Sequence, residues 1–388
     1  MNGPFADLVV VDVATLAAAP QIATFFADLG ARVIKVEHPR GDPLRQLVDA
    51  DGAALQWKLT NRNKACVTLD AGTPDGRRLL ERLLARADVL VAALPADRLA
   101  AWGLERAALE ARHPRLVLVN LTTYGTTGPW RDRAGSGTLA EAVTGLAHLT
   151  GPADAPPTLA PVGLGDSVGM LHGIVAALTG LRARDHGGER WFDCSMTAPL
   201  LGMLGQRLAQ VARSGVDPGR HGNRFPTMAP RNTYRAADGG WVAITAGTNE
   251  LVSRLFAVIG RPELAGDARF ATNRARIANV DALDAVIGAW IAARPAAEAA
   301  GALAAVRVSA AVVDDVPAVL ANAHFRARGE IVTVDDPGLG PVTTAAPSLA
   351  GTIRHLGRDL GADNDAVFGE WLGIDAAELS RLRASGVV

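Results

Sequence analysis

Cysteine is scarce in this sequence: Cys66 and Cys194 are the only two in 388 residues. Two thiols exclude a disulfide framework, and their separation fits no metal-site spacing. A surplus of charge of either sign is missing too. The formal net charge of −1 excludes a general attraction to nucleic acid or anionic membranes. No apolar run reaches the roughly 18 uncharged residues of a membrane span. The start, Met1 to Asp7, has no basic region leading into an apolar core, so no signal peptide is expected and the expected location is cytoplasmic. What is present is a globular composition, 49% hydrophobic and 20% charged, on a chain long enough for two domains.

The first elements set the fold class. Asp7–Asp12 reads as a buried strand, a helix runs from near Pro20 to Leu29, and Ala31–Glu37 reads as a second strand. Strand, helix and strand within about 30 residues form a βαβ unit and imply a parallel sheet. The first loop, Ala14 to Pro20, lacks GxGxxG, so the topology is Rossmann-like without a dinucleotide fingerprint. Further strands are expected at 66–69, 88–94, 116–121 and 191–196, with helices at 74–86, 104–110 and 138–149. Gly215–Pro230 is a polar connector punctuated by Gly and Pro, which marks a domain boundary. The expected organisation is a large α/β domain over 1–215, a smaller α/β domain over 216–328, and a C-terminal segment over 329–388.

The stretch Pro161 to Gly173 is the expected centre of the chemistry. Asp166 stands between Gly165 and Gly169 where an apolar run changes period. Val168, Leu171, Ile174, Val175, Leu178 and Leu181 follow at three- and four-residue steps, so a helix begins here. Asp166 is expected at or just before its N-terminus, where the macrodipole favours the ionised carboxylate. An ordinary N-cap and a reactive carboxylate are both open on these residues alone. Asn61-Arg62-Asn63-Lys64 reads as a phosphate cradle or a solvated turn. The hydroxyl- and glycine-rich loop Thr122 to Trp130 reads as a crevice wall or a polar surface loop.

The order of motifs resembles the family III CoA-transferases, the group that includes formyl-CoA transferase, carnitine CoA-transferase-like proteins and α-methylacyl-CoA racemase. The matching pieces are Ala27-Asp28-Leu29-Gly30-Ala31-Arg32-Val33-Ile34-Lys35-Val36-Glu37, Gly41-Asp42-Pro43, Asn61-Arg62-Asn63-Lys64, Thr73-Pro74-Asp75-Gly76 and Tyr124-Gly125. Gly165-Asp166-Ser167, Ala237-Asp238-Gly239 and Arg269-Phe270-Ala271-Thr272-Asn273 extend the match over almost the whole chain. The resemblance implies an interlocked homodimer with CoA on the large domain. Its acyl end would lie at the domain and subunit boundary. It implies that Asp166 is a nucleophile forming an aspartyl anhydride and thioester. It also implies CoA contacts at His38, Arg40, Asn61, Lys64, Leu69, Leu94, Trp102, Tyr124 and Gly125. CoA and acyl-CoA enter as substrates with a carboxylic acid, and no permanently bound cofactor, metal, nucleic acid or membrane partner is implied.

Several positions depart from the family pattern. Gly137 stands where transferases and racemases carry an acid, and Ser136 where the racemase carries a histidine. Glu141, four residues on along the same helix face, is the candidate accessory carboxylate. Ala17 replaces an amide, Ala92-Ala93-Leu94-Pro95 replaces a Glu-Asn-Phe-type CoA motif, and Phe225–Asn232 holds no glycine-rich lid. The first expectation is CoA transfer. The alternatives are an acyl-CoA racemase or isomerase using Asp166 as acid and base, and a repurposed member with weakened CoA binding. A hetero-oligomer with a paralogous partner is also left open.

Overall fold

The computed structural model describes residues 3–388. Six short strands carry the fold: β1 (Val9–Asp12), β2 (Arg32–Glu37), β3 (Ala65–Thr68), β4 (Val89–Ala92), β5 (Val117–Thr122) and β6 (Trp191–Ser195). Sequences such as Val9-Val10-Val11 and Val89-Leu90-Val91 are apolar on both faces, as strands covered on both sides must be. All pair in parallel in the order β3-β2-β1-β4-β5-β6. The order reverses between β1 and β4. There the connections leave in opposite directions and open a crevice beyond the carboxyl ends of the strands.

Two apolar layers cover the sheet. On one face lie α1 (Ala18–Asp28), with Ile22, Ala23, Phe26 and Ala27 fully buried, and the long helix that carries Asp166. On the other lies α2 (Pro74–Leu84), packed with Phe368, Leu372, Leu379 and Leu382 from the end of the chain. Between Thr123 and β6 come α3 (Gly137–Val143) and α4 (Leu164–Ala183). The single helix expected over 138–149 is broken after α3, where Gly145 has φ +89° and the chain turns.

The face that α4 turns to the sheet is not the one its periodicity suggests. Gly165, Gly169, Gly173, Ala176, Ala177 and Gly180 are buried with Ile174, while Leu171 and Val175 are 57% and 62% exposed. Small residues let the helix axis come close: a Cβ at Gly173 would lie 2.2 Å from Ile22 Cδ1. Among the described residues, this helix is also the one long and apolar enough to cross a membrane by length and composition.

The chain divides into two compact units. One takes the residues up to Leu146 together with Leu159–Arg213 and Ala323–Val388. The other takes Ala147–Thr158 and Ser214–Asn322. The second has an antiparallel sheet, β7 (Arg231–Arg235), β8 (Trp241–Thr245) and β9 (Ser309–Val312), under α5 (Asn249–Val258), α6 (Val280–Ala292) and α7 (Ala296–Ala305). The excursion of 147–158 into it has no counterpart in the sequence reading.

A buried ion cluster joins the last residue of β1, Lys35 within β2 and Lys64 just before β3. Asp12, Lys35 and Lys64 are all fully buried. Lys64 Nζ donates to Asp12 Oδ2 at 2.8 Å, to the Pro20 carbonyl at 2.7 Å and to Asn61 Oδ1 at 3.0 Å. Lys35 Nζ lies 3.8 Å from Asp12 and 3.5 Å from Asp42, and donates to the Ala14 carbonyl. Burial pulls the Lys64 ammonium down to about 8 against the attraction of Asp12. Removing the shared carboxylate leaves two ammonium groups under-compensated. Asp12→Ala is therefore expected to cost about 3–5 kcal/mol in urea denaturation. Lys64→Met, which leaves Asp12 paired with Lys35, is expected to cost less.

Candidate active site

A cavity of about 420 Å³ opens at the crevice between β1 and β4. Its walls are the loop Thr15–Ala19, residues Ala93 and Pro95 after β4, the strand end Leu121–Gly125, the segment Arg131–Ser136, and Met196 after β6. Asp166 is the one residue of α4 in the wall. The loop after β1 is held from below. Asp12 Oδ1 accepts the Ala14 N–H at 3.0 Å, and both oxygens of Asp42 accept the Leu16 N–H at 3.2 Å. Leu16 sits at φ +64°, a left-handed conformation that a leucine adopts only under such restraint.

Asp166 is set by the meeting of two helix starts. The N-cap of α4 is Gly163, so Asp166 is the third helical residue and not the cap. The start of α3 abuts it, and neither side has room for a side chain. A Cβ at Gly137 would lie 2.4 Å from Asp166 Oδ2 and 2.5 Å from its backbone nitrogen, and one at Gly165 would lie 2.3 Å from the Gly137 carbonyl oxygen. The acid that the family pattern places at 137 does not fit here. Glu141, one turn along α3, is 3% exposed and accepts the Gly165 N–H at 3.0 Å.

The electrostatics correct one expectation. The Asp166 carboxyl lies above its ordinary value because burial removes water from the charged form, and the Glu141 charge adds to the rise. The Gly137 backbone opposes the shift without overcoming it. The helix start therefore does not hold Asp166 at low pKa. The site keeps a more basic and hence more nucleophilic carboxylate. Burial also pushes the Cys66 thiol up to about 11 and the Cys194 thiol to about 12, so neither is a thiolate at neutral pH.

The residues read from the sequence fall into four groups. Ala17, Tyr124 and Gly125 line the cavity with Asp166. His38 and Arg40 line a neighbouring groove of about 360 Å³ that shares Thr15 with it, and His38 Nδ1 accepts the Arg40 N–H at 3.0 Å. Asn61 and Lys64 are instead fully buried in the ion cluster, where they present no polar group to a phosphate. Leu69 is buried, and Leu94 and Trp102 are partly buried against the same apolar layer; none of the three lines the cavity or the groove.

Three features were given no site role from the sequence: Leu16, Asp42 and the segment Arg131–Arg133. The last follows the glycine-rich loop that closes β5, and strand-end position is the signal that finds it. Arg133 there stacks over Trp130 at 4.6 Å, and Trp130 meets Tyr124 edge-on at 5.4 Å.

Fold and crevice define a doubly wound α/β protein with a cavity open beyond the carboxyl ends of its strands. The sequence profile of CoA-transferase family III matches residues 5–362, and the chain belongs to that family. It is an enzyme of the transferase class whose substrates are CoA thioesters. Succinyl-CoA–D-citramalate CoA-transferase of Chloroflexus aurantiacus is 34% identical over 99% of this chain and 98% of its own length. The succinyl-CoA–L-malate CoA-transferase beta subunit of the same organism is 33% identical over 99% and 98%. The crystal structure of a CAIB/BAIF family protein from Brucella suis superposes with a TM-score of 0.80 at 32% identity, covering 95% of this chain and 100% of that one.

Gly137→Ala forces a methyl group against Asp166 and is expected to cost about 1–3 kcal/mol in thermal or urea unfolding. Gly202→Ala, in the helix Thr197–Met203 and with nothing within 4 Å of its Cβ, is the control and is expected to be neutral or stabilising by up to about 1 kcal/mol.

Proposed function

We propose that this chain moves CoA from an acyl-CoA to an acceptor carboxylic acid, with Asp166 as covalent nucleophile. The observation that carries the reading is the half-buried Asp166 carboxylate in the wall of the switch-point cavity, with its basicity raised. An Asp166 oxygen attacks the thioester carbonyl, giving a mixed anhydride and CoA thiolate. The thiolate attacks the aspartyl carbonyl, forming an aspartyl-CoA thioester and releasing the donor acid. The acceptor carboxylate attacks that thioester, giving a second anhydride and free thiolate. The thiolate then takes the acceptor acyl group and frees Asp166. Each step exchanges one acyl bond for another, so a difficult exchange is divided into easier ones. The Gly137 backbone amide beside Asp166 is the candidate donor for the developing oxyanions.

The citramalate and malate relatives support dicarboxylic acids as the exchanged substrates. The His38–Arg40 groove, joined to the cavity at Thr15, is the proposed path of the CoA nucleotide. Assembly as a homodimer is part of the proposal. Leu171 and Val175 on α4, with Leu139 and Val143 on α3, are large apolar side chains left exposed, as an interface would require.

Incubation with succinyl-CoA followed by hydroxylamine is expected to modify Asp166, detected by peptide mass spectrometry. Asp166→Ala is expected to abolish both the adduct and turnover. No adduct across a panel of thioesters, or α-deuterium exchange without CoA transfer, overturns the reading. The reactive form is the anion, so the rate is full above the Asp166 pKa and falls as pH drops through it. The acid limb of log kcat/KM is therefore expected to have its midpoint above 3.8, the ordinary aspartate value. Leu171→Glu is expected to shift the protein to the monomer position in size-exclusion chromatography.

A further inference from the structure

We propose that Glu141 is the positioning residue of Asp166: its buried carboxylate caps the first turn of α4 from the neighbouring helix, leaving the Asp166 carboxylate free to face the cavity. The inference rests on the reading of Asp166 as nucleophile and adds a residue to it.

The first turn of a helix has amide groups without intrahelical partners, and a side chain at the N-cap normally accepts from one of them. The N-cap of α4 is Gly163, which has no side chain to do so. The Gly165 N–H is satisfied instead by Glu141 Oε1 at 3.0 Å, across the contact between α3 and α4. This contact exists because Gly137 and Gly165 lack Cβ atoms. With either in place the two helix starts would stand apart.

Glu141 is 3% exposed, and no ion pair with Lys, Arg or His involves it among the described residues. A buried carboxylate without a cation is costly, and the positive end of α4 is what makes this one tolerable. The same arrangement places a second negative charge beside Asp166, and that charge adds to the rise in its basicity. The other titratable groups in the cavity wall are Arg131, Asp132 and Arg133 from the segment before α3, and Tyr124 after β5. The loops after β1 and β4, and Met196, contribute none.

Two substitutions separate the hydrogen bond from the charge. Glu141→Gln keeps an oxygen for the Gly165 N–H and removes the charge; Glu141→Ala removes both. In the full-length protein, Glu141→Ala is expected to raise hydrogen exchange in the first turn of α4 by about tenfold, and Glu141→Gln to leave it near the parent rate. With succinyl-CoA, Glu141→Ala is expected to lower kcat by about 10- to 100-fold with KM within about twofold. Glu141→Gln is expected to recover most of kcat, with its acid limb moved to lower pH.

Unchanged exchange in Glu141→Ala, or equal damage in both variants, overturns the proposal. The exchange measurement needs no turnover. If the parent enzyme forms no adduct, the nucleophile reading fails while the capping role is still decided. If Glu141→Ala does not fold, Glu141→Gln alone decides: parent-like exchange with a displaced acid limb supports the proposal, and raised exchange or an unmoved limb overturns it.

Discussion

The cavity depends on one buried carboxylate shared by two lysines. Asp12 ends β1 and sits between Lys35 of β2 and Lys64 just before β3. The two ammonium groups reach past it to opposite ends of the same loop, the Ala14 carbonyl and the Pro20 carbonyl. The segment that walls the crevice is thus tied at both ends to the strands below it, and Asp42 ties its middle at Leu16. A buried ion triad is weak evidence of net stability, because desolvation offsets much of the attraction. Its geometric effect is plain: it fixes a short, nearly featureless alanine-rich loop in one conformation.

A second contact completes the site. Two helices begin against each other with only glycine between them, and the atoms that meet are a carbonyl, an amide and the Asp166 carboxylate. The departure of Gly137 from the family pattern is accounted for by that contact. An acidic side chain at 137 would occupy the space where Asp166 lies. The one-turn displacement to Glu141 supplies a carboxylate from beneath and leaves the cavity side open.

Much of the large unit was legible in the sequence because strands buried on both faces are read directly as apolar runs, and βαβ spacing fixes their parallel pairing. Asp166 was legible because glycines flank it where the periodicity changes. The burying face of α4 was not, because that helix packs through glycine and alanine, which carry little hydrophobic signal, and exposes Leu171 and Val175. Asn61 and Lys64 were read as CoA contacts from the family resemblance, and the residues alone left a phosphate cradle and a solvated turn both open. Only the pairing with Asp12, 52 residues away, shows why Lys64 is buried. The meeting of Gly137 with Gly165 is likewise a tertiary contact that no local pattern encodes.

The large unit is assembled from three separate pieces of chain, and its last piece includes Phe368, Leu379 and Leu382 in the layer over one sheet face. A nascent polypeptide leaving the ribosome therefore carries all six parallel strands long before the residues that cover that face exist. Until synthesis is nearly complete, the part of that layer filled by Phe368, Leu379 and Leu382 stands open to water. Such a surface is where self-association competes with folding.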